Sequence, residues 1–312
     1  MKRSTVVIFA VAIALCAVSC QKEGVYKPGK KIFSVERVET DSKGNQTITP
    51  YEEWNWDGKL LKSITYHWLI SHGAPTTETF TYEKNRLVSS QIKDQTSTYT
   101  YDGKFISHIE TELHSAIAEK YTSTYDFEHN GNKISKITNK LYIKMADNKA
   151  LAVSPLRQFL PENVCNAIAC NVQKTAEKTK NEKLERTTVY EYTLTWDGDN
   201  VSKIECVSYI EGSESKTTGT AVYTYDKNPH PQSALYTFGI FHYKNDLEIF
   251  SVNNVLTAKI TDSDEPDDYD NYEYQYTYDE DGYPAEYTST HGYNYSSTVQ
   301  HDVRTYRLNY VK

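Results

Sequence analysis

The chain has 312 residues, with 42 acidic side chains against 34 basic ones and a formal net charge of -8. Its 27 tyrosines and 34 threonines, beside only 2 methionines, suit half-buried pleated surfaces better than a thick aliphatic core. No basic excess is present to neutralise phosphates, which argues against a nucleic-acid partner.

The first element reads as an address. Lys2 and Arg3 precede an apolar run from Val6 to Val18, long enough for the core of a secretory signal peptide and too short to span a bilayer. The sequence Ala17-Val18-Ser19-Cys20 resembles the lipobox of bacterial lipoproteins, although Ala17 stands where leucine is commoner. That resemblance implies cleavage after Ser19, acylation of Cys20 and a membrane partner reached through the lipid. Ordinary cleavage at the same place, leaving Cys20 a free thiol, is the alternative. Gln21-Lys22-Glu23 resembles in part the Lys-acidic tract that routes lipoproteins of gut Bacteroidetes to the cell surface, with Gly24 in place of a second acidic residue. The expected organisation is a signal peptide over 1–19, a lipidated tether over 20–31 and a single domain over 32–312. The expected location is the outer membrane, exposed at the cell surface. Removing residues 1–19 leaves 32 basic residues against 42 acidic ones, a net charge of -10.

From residue 32 onward the chain repeats a unit. Trp56-Asp57-Gly58 is followed by Leu61 and Ile64, Tyr101-Asp102-Gly103 by Ile106 and Ile109, and Trp196-Asp197-Gly198 by Val201 and Ile204. In each case the aliphatics fall five and eight residues after the aromatic. Looser copies begin at Tyr82, Phe127, Tyr225 and Tyr278. Asp-Gly between two alternating runs is a strong hairpin signal, because the tight turn needs a positive φ. Tyr190, Tyr192, Leu194 and Trp196 alternate with Glu191, Thr193 and Thr195, the period of a sheet with one buried and one wet face. The expected fold class is all-β: repeated antiparallel hairpins forming a strongly curved sheet or soluble barrel, with one short helical insertion. A lipid-spanning barrel is disfavoured, since its outer positions would have to be uniformly apolar.

The Tyr-x-Tyr-Asp…Gly units resemble the tyrosine-aspartate repeats of Rhs-type proteins. With Tyr225-Asp226-Lys227-Asn228-Pro229 and Ser251-Val252-Asn253-Asn254, the chain resembles a Bacteroidetes lipoprotein family of unknown function described as having a porin-like fold. The likeness covers about Ile32 to Tyr310. It implies strand topology and supplies no catalytic residues, and it is not evidence of transport.

The insertion lies at about 150–183. Ser154-Pro155 and Pro161-Glu162 read as helix starts, and Val164, Ile168 and Val172 form a helical stripe. Beyond the leader and Cys20, three cysteines remain, Cys165, Cys170 and Cys206, which cannot all pair within the chain. Their pairing is left open. The acidic stretch at 262–270 places Asp262, Asp264 and Asp268 close in sequence, oxygen donors of the type that collects calcium. Pro266 sits where a calcium loop needs a ligand, so a solvated loop is the first expectation and calcium the alternative; no other cofactor is implied. The histidines form no metal-binding or hydrolase motif, and no P-loop or dinucleotide fingerprint occurs. Trp54, Trp56 and Trp68 are the candidate ligand-binding aromatics, although Trp54 and Trp56 share the parity of the core face.

Together these features point to a non-catalytic binding or adhesion scaffold whose ligand is a glycan or a surface protein. An accessory subunit of an outer-membrane nutrient-uptake complex, with the insertion as its contact, is the second reading, and a carbohydrate hydrolase the third.

Overall fold

A computed structural model describes residues 22–71, 74–113, 118–145, 185–235, 250–262, 269–295 and 298–312. Among the described residues sixteen strands follow one another in sequence: β1 (Ile32–Thr40), β2 (Gln46–Asp57), β3 (Leu60–Ser71), β4 (Ala74–Glu83), β5 (Arg86–Ile92), β6 (Gln95–Asp102), β7 (Phe105–Leu113) and β8 (Ala118–Asn130) form the first half. The second half is β9 (Lys133–Met145), β10 (Glu185–Asp197), β11 (Asn200–Ile210), β12 (Lys216–Pro229), β13 (Asn253–Asp262), β14 (Tyr269–Tyr278), β15 (Pro284–Tyr295) and β16 (Thr298–Tyr310). Each pairs antiparallel with its sequence neighbour, and β1 pairs with β16, which closes the sheet into a barrel. The closure removes both sheet edges, which would otherwise present unpaired backbone. The expected all-β barrel of hairpins is the fold observed. The helical insertion at about 150–183 lies outside the described residues.

The aliphatic spacing of five and eight has a physical cause. Two residues three apart on a regular strand face opposite sides of the sheet. Here Trp56 pairs with Leu61 and Asn55 with Ser63, so Lys62 is an extra residue, a β-bulge. The same shift separates Ile106 from Ile109 and Val201 from Ile204. Each bulge returns the second aliphatic to the inner face, where Leu61, Ile64, Ile106, Ile109, Val201 and Ile204 are all buried. Gly58 and Gly198 take the first of the two loop positions with φ of 54° and 55°, a conformation that matches the twist of the flanking strands. The eighth and ninth strands need one correction to the sequence register: His129, not Phe127, holds the aromatic place, pairing with Ile134 beside the bulge.

Outward positions are mostly polar, with Val222 and Val303 among the exposed exceptions. Along β4, Thr76, Glu78 and Phe80 are buried, while Thr77, Thr79, Thr81 and Glu83 are exposed. Glu273, Gln275 and Thr277 are exposed on β14, between tyrosines that face inward.

The hairpins are latched to one another at the end that carries the tight turns. Trp196 donates its indole N–H to Ile134 O at 2.7 Å, while Lys133 donates to Gly198 O and lies 5.2 Å over the Trp196 ring. Trp56 and Lys31 repeat this with Ile32 O and Gly58 O, at 2.7 and 2.5 Å. Tyr101 and Arg86 repeat it again, with the Arg86 guanidinium 3.6 Å from the ring centre. Tyr225 and Tyr310 keep the hydroxyl-to-carbonyl part, to Val201 O and Pro284 O.

Residues 22–31, within the segment expected as a tether, form a strap across this same end. Glu23 N donates to Lys104 O, the Glu23 carboxylate accepts from Ile106 N at 2.6 Å, and Leu87 N donates to Gly24 O. Gly24 has φ +76° and lies so close to the Tyr101 ring that a Cβ would stand 2.0 Å from its hydroxyl oxygen. Tyr26 is buried, stacks on Trp56 and donates to Pro231 O at 2.7 Å. Lys30 then pairs with Asp279 and Asp281 before β1 begins. This end of the barrel is thereby filled.

Candidate functional site

The tryptophans divide between the two ends of the barrel. Trp54 is 4% exposed and its indole donates to Glu52 Oε2 at 3.0 Å. Trp56 is held in the latch under Lys31. Both belong to the filled end. Trp68 lies on β3, ten residues beyond the Gly58 turn, and is 45% exposed.

Trp68 does not stand alone. Its ring stacks on Tyr51, with centroids 5.9 Å apart and planes at 24°, and meets Tyr66 edge-on at 5.6 Å. Tyr51 meets Tyr306 edge-on at 4.8 Å, and Tyr306 stacks on Tyr287 at 5.1 Å. From Tyr287 the rings continue to Tyr276 and Tyr274 at 5.7 and 6.4 Å. A continuous series of aromatic rings therefore runs on the inner face from Tyr274 and Tyr276 on β14 through Tyr287 on β15, Tyr306 on β16 and Tyr51 on β2 to Trp68 on β3, the member farthest from the strap.

Tyr51 joins this series only because the strand is irregular. Val35 pairs with Glu52 and Glu36 with Pro50, so Tyr51 is the extra residue of a bulge on β2. Strict alternation would put Tyr51 outside whenever Trp54 and Trp56 are inside. The bulge turns it inward, a device common where a side chain must be re-aimed. Period-two reading of the sequence therefore misses Tyr51; Pro50, at a position where a ladder donor is lost, is the signal that could have found it.

Polar groups flank the rings. Arg304 pairs with Asp302 at 2.5 Å, and both are substantially exposed. Partial burial works against the Arg304 charge, but the Asp302 carboxylate and Tyr306 more than offset it, so the guanidinium is held firmly protonated. Tyr66 donates to Glu78 Oε2 at 2.9 Å, which orients the ring under Trp68. Farther along, His291 lies flat on Tyr272 with centroids 4.2 Å apart and hydrogen-bonds Asp270 at 2.8 Å. Burial, then the neighbouring Tyr306, raises the ionisation of both Tyr51 and Tyr287 well above the usual phenol range. These hydroxyls are held in the neutral form, and that of Tyr51 bonds Tyr306. Exposed indole, stacked phenols and a planar Arg–Asp pair are groups that hold a flat, hydroxyl-rich ligand.

The remaining sequence candidates lie elsewhere. Asp262 ends β13, its backbone paired with Gly219, while Asp264 and Asp268 fall outside the described residues. Among the described residues no cluster of three metal-ligating side chains occurs. Cys206 is a free thiol on the inner face of β11 beside Tyr192. Cys20, Cys165 and Cys170 fall outside the described residues.

A second polar cluster sits at the filled end. The Asp226 carboxylate accepts from Asn228 N, Asn254 N, Asn254 Nδ2 and the Tyr278 hydroxyl. Asn200 accepts from Val252 N and Asn253 N, and Ser251 accepts from Val201 N. This cluster pins the register break between β12 and β13. It gives the Tyr-Asp-Lys-Asn-Pro and Ser-Val-Asn-Asn segments a structural role.

No family model matches the chain. No curated protein matches it either. Solved structures do. A porin-like protein from Bacteroides uniformis ATCC 8492 aligns over 93% of this chain and 100% of its own, at 11% identity and a TM-score of 0.49. A porin-like protein from Bacteroides vulgatus ATCC 8482 aligns over 90% of this chain and 99% of its own, at 11% identity and a TM-score of 0.39. The barrel architecture of this chain follows from its own closed strand pairing.

Proposed function

We propose that the protein is a lipid-anchored barrel at the outer-membrane surface that binds a glycan along the Tyr51–Trp68 rings without catalysing a reaction. The observation that carries this reading is the stacked Tyr51–Trp68 pair, in which a large indole stays 45% exposed at the end of a series of aromatic rings. Pyranose faces are apolar and their rims are hydroxylated. A partly exposed indole beside neutral phenols and an Arg–Asp pair meets both demands. Leaving Trp68 in water has no packing rationale, because the same strand buries Leu61, Ile64 and Tyr66.

The lipid anchor rests on the Ala-Val-Ser-Cys20 sequence, and a place outside the hydrocarbon rests on the mostly polar outer face. Outward threonines, glutamates and lysines, such as Thr79, Lys140 and Glu273, are costly against lipid, a lysine at the midplane by about 2–4 kcal/mol. The test is a broad glycan array followed by calorimetry on each hit. Trp68→Ala should weaken binding at least tenfold without lowering the melting temperature. An empty array, or affinity unchanged in that variant, would overturn the reading.

A further inference from the structure

We propose that the strapped end of the barrel faces a phospholipid bilayer surface within a reach of about 10 Å, so that the Trp68 end points away from the membrane. This rests on the reading that Cys20 carries the lipid. Glu23 is fixed to the barrel by its own backbone and carboxylate, at Lys104 and Ile106 in the β6–β7 turn region. Arg86 Nε adds a further bond to Glu23 O at 2.8 Å. Only three residue steps separate Cys20 from that point, and a trans chain spans at most about 3.5 Å per residue, so the free reach is about 10 Å. A flexible tether would leave the barrel free to tumble. This one ends where the strap begins.

The apolar surface at that end fits the same partner. Phe33 and Val311, beside the junction of β1 and β16, are exposed at 60% and 47%. Val311 N donates to Lys31 O, which places both residues at the margin of the strap. Apolar groups on the side nearest the anchor gain from contact at headgroup level. The opposite end carries the β1–β2 loop with Ser42 exposed, at the far limit of strands about 30 Å tall after tilt. The consequence for the proposed function is that ligand enters from the side away from the membrane.

The experiment uses the folded mature chain with residues 1–20 replaced by a polyhistidine anchor, bound to phosphatidylcholine vesicles containing a nickel-chelating lipid. Cys165 and Cys170 are changed to serine. A fluorophore is placed at Lys59→Cys, in the β2–β3 turn, or at Ser42→Cys, and spin-labelled lipid serves as contact quencher. The Lys59 site should be quenched at least threefold more than the Ser42 site. A twenty-residue Gly-Ser insertion between Gln21 and Lys22 should abolish that difference. Equal or reversed quenching in the short-tether protein, or a difference that survives the insertion, overturns the proposal. The lipidation reading is tested separately, by fractionating cells that express Cys20→Ala. A variant that stays in the membrane removes that reading and leaves the vesicle result as it stands.

Discussion

Lys133 and Trp196 hold each other in a reciprocal latch. The ammonium lies 5.2 Å over the indole and bonds Gly198 O, while the indole N–H bonds the carbonyl of Ile134, next to the lysine. The same exchange joins Lys31 to Trp56 and Arg86 to Tyr101, so each conserves an offset between a basic residue on one strand and an aromatic-Asp-Gly on the next. The aromatic position thus demands a ring that also carries a donor. Trp, Tyr and, at residue 129, His fill it, and Phe does not.

Trp196→Phe should therefore destabilise the barrel although it keeps the ring. The loss is one hydrogen bond plus an unsatisfied partly buried carbonyl, about 1–2 kcal/mol. Lys133→Met should cost less, under about 1 kcal/mol, because its ammonium is partly solvated and its cation–π contact is screened. Urea unfolding midpoints decide this. Equal stability of Trp196→Phe and wild type would show that the indole N–H contributes nothing.

The barrel was legible in the sequence because its repeat obeys local rules. Asp57-Gly58 and Asp197-Gly198 announce their turns, and the five-and-eight spacing recurs wherever a bulge restores the inner face. Tyr51 was not legible, since a bulge set by pairing with Val35 and Glu36 reverses its side. Nor was the latch, because its halves lie as far apart in sequence as Lys133 and Trp196. The strap was hidden for a different reason: Glu23 to Lys31 has no periodicity, and what fixes it are turns on distant hairpins.

Two tryptophan truncations should separate the ends of the molecule. Trp54 is buried against Tyr26 and Trp56, so Trp54→Ala should cost about 3–5 kcal/mol. Trp68→Ala should leave the melting temperature nearly unchanged and lower only glycan affinity. Thermal melts paired with calorimetry distinguish the cases; a large destabilisation from Trp68→Ala would mean that the ring is packing rather than surface.

Cys206 should be inert in the folded chain. Burial pushes its thiol up to about 12, and the hydrogen bond from Tyr192 offsets only part of that rise. An unfolded cysteine titrates near 8.5, so at pH 8 the folded protein should react with iodoacetamide roughly a thousandfold more slowly at this site. Peptide mapping after native and denatured alkylation measures it. The sign of the linkage follows. The contribution of this group is fully present below about pH 8.5 and is lost as pH rises toward the folded value. Rapid native labelling would place the thiol in open water.

His230 sets the opposite slope. Burial lowers its pKa to about 4 against the pull of nearby Asp226, and its Nδ1 is buried with no hydrogen-bond partner among the described residues. The ring is therefore neutral when folded, while an unfolded histidine takes up a proton near pH 6.5. Because the folded pKa is the lower one, its contribution is present above about pH 6.5 and is lost as pH falls toward 4. Carboxylates also titrate at the acid end of this window, so the comparison must be with His230→Gln. Between pH 7 and 4.5 the wild type should lose on the order of 2 kcal/mol more stability than that variant. The absolute stability of His230→Gln at pH 7 does not enter, since only the difference in slope reports the proton. Parallel curves would mean that His230 titrates normally and that the strapped end admits water to it.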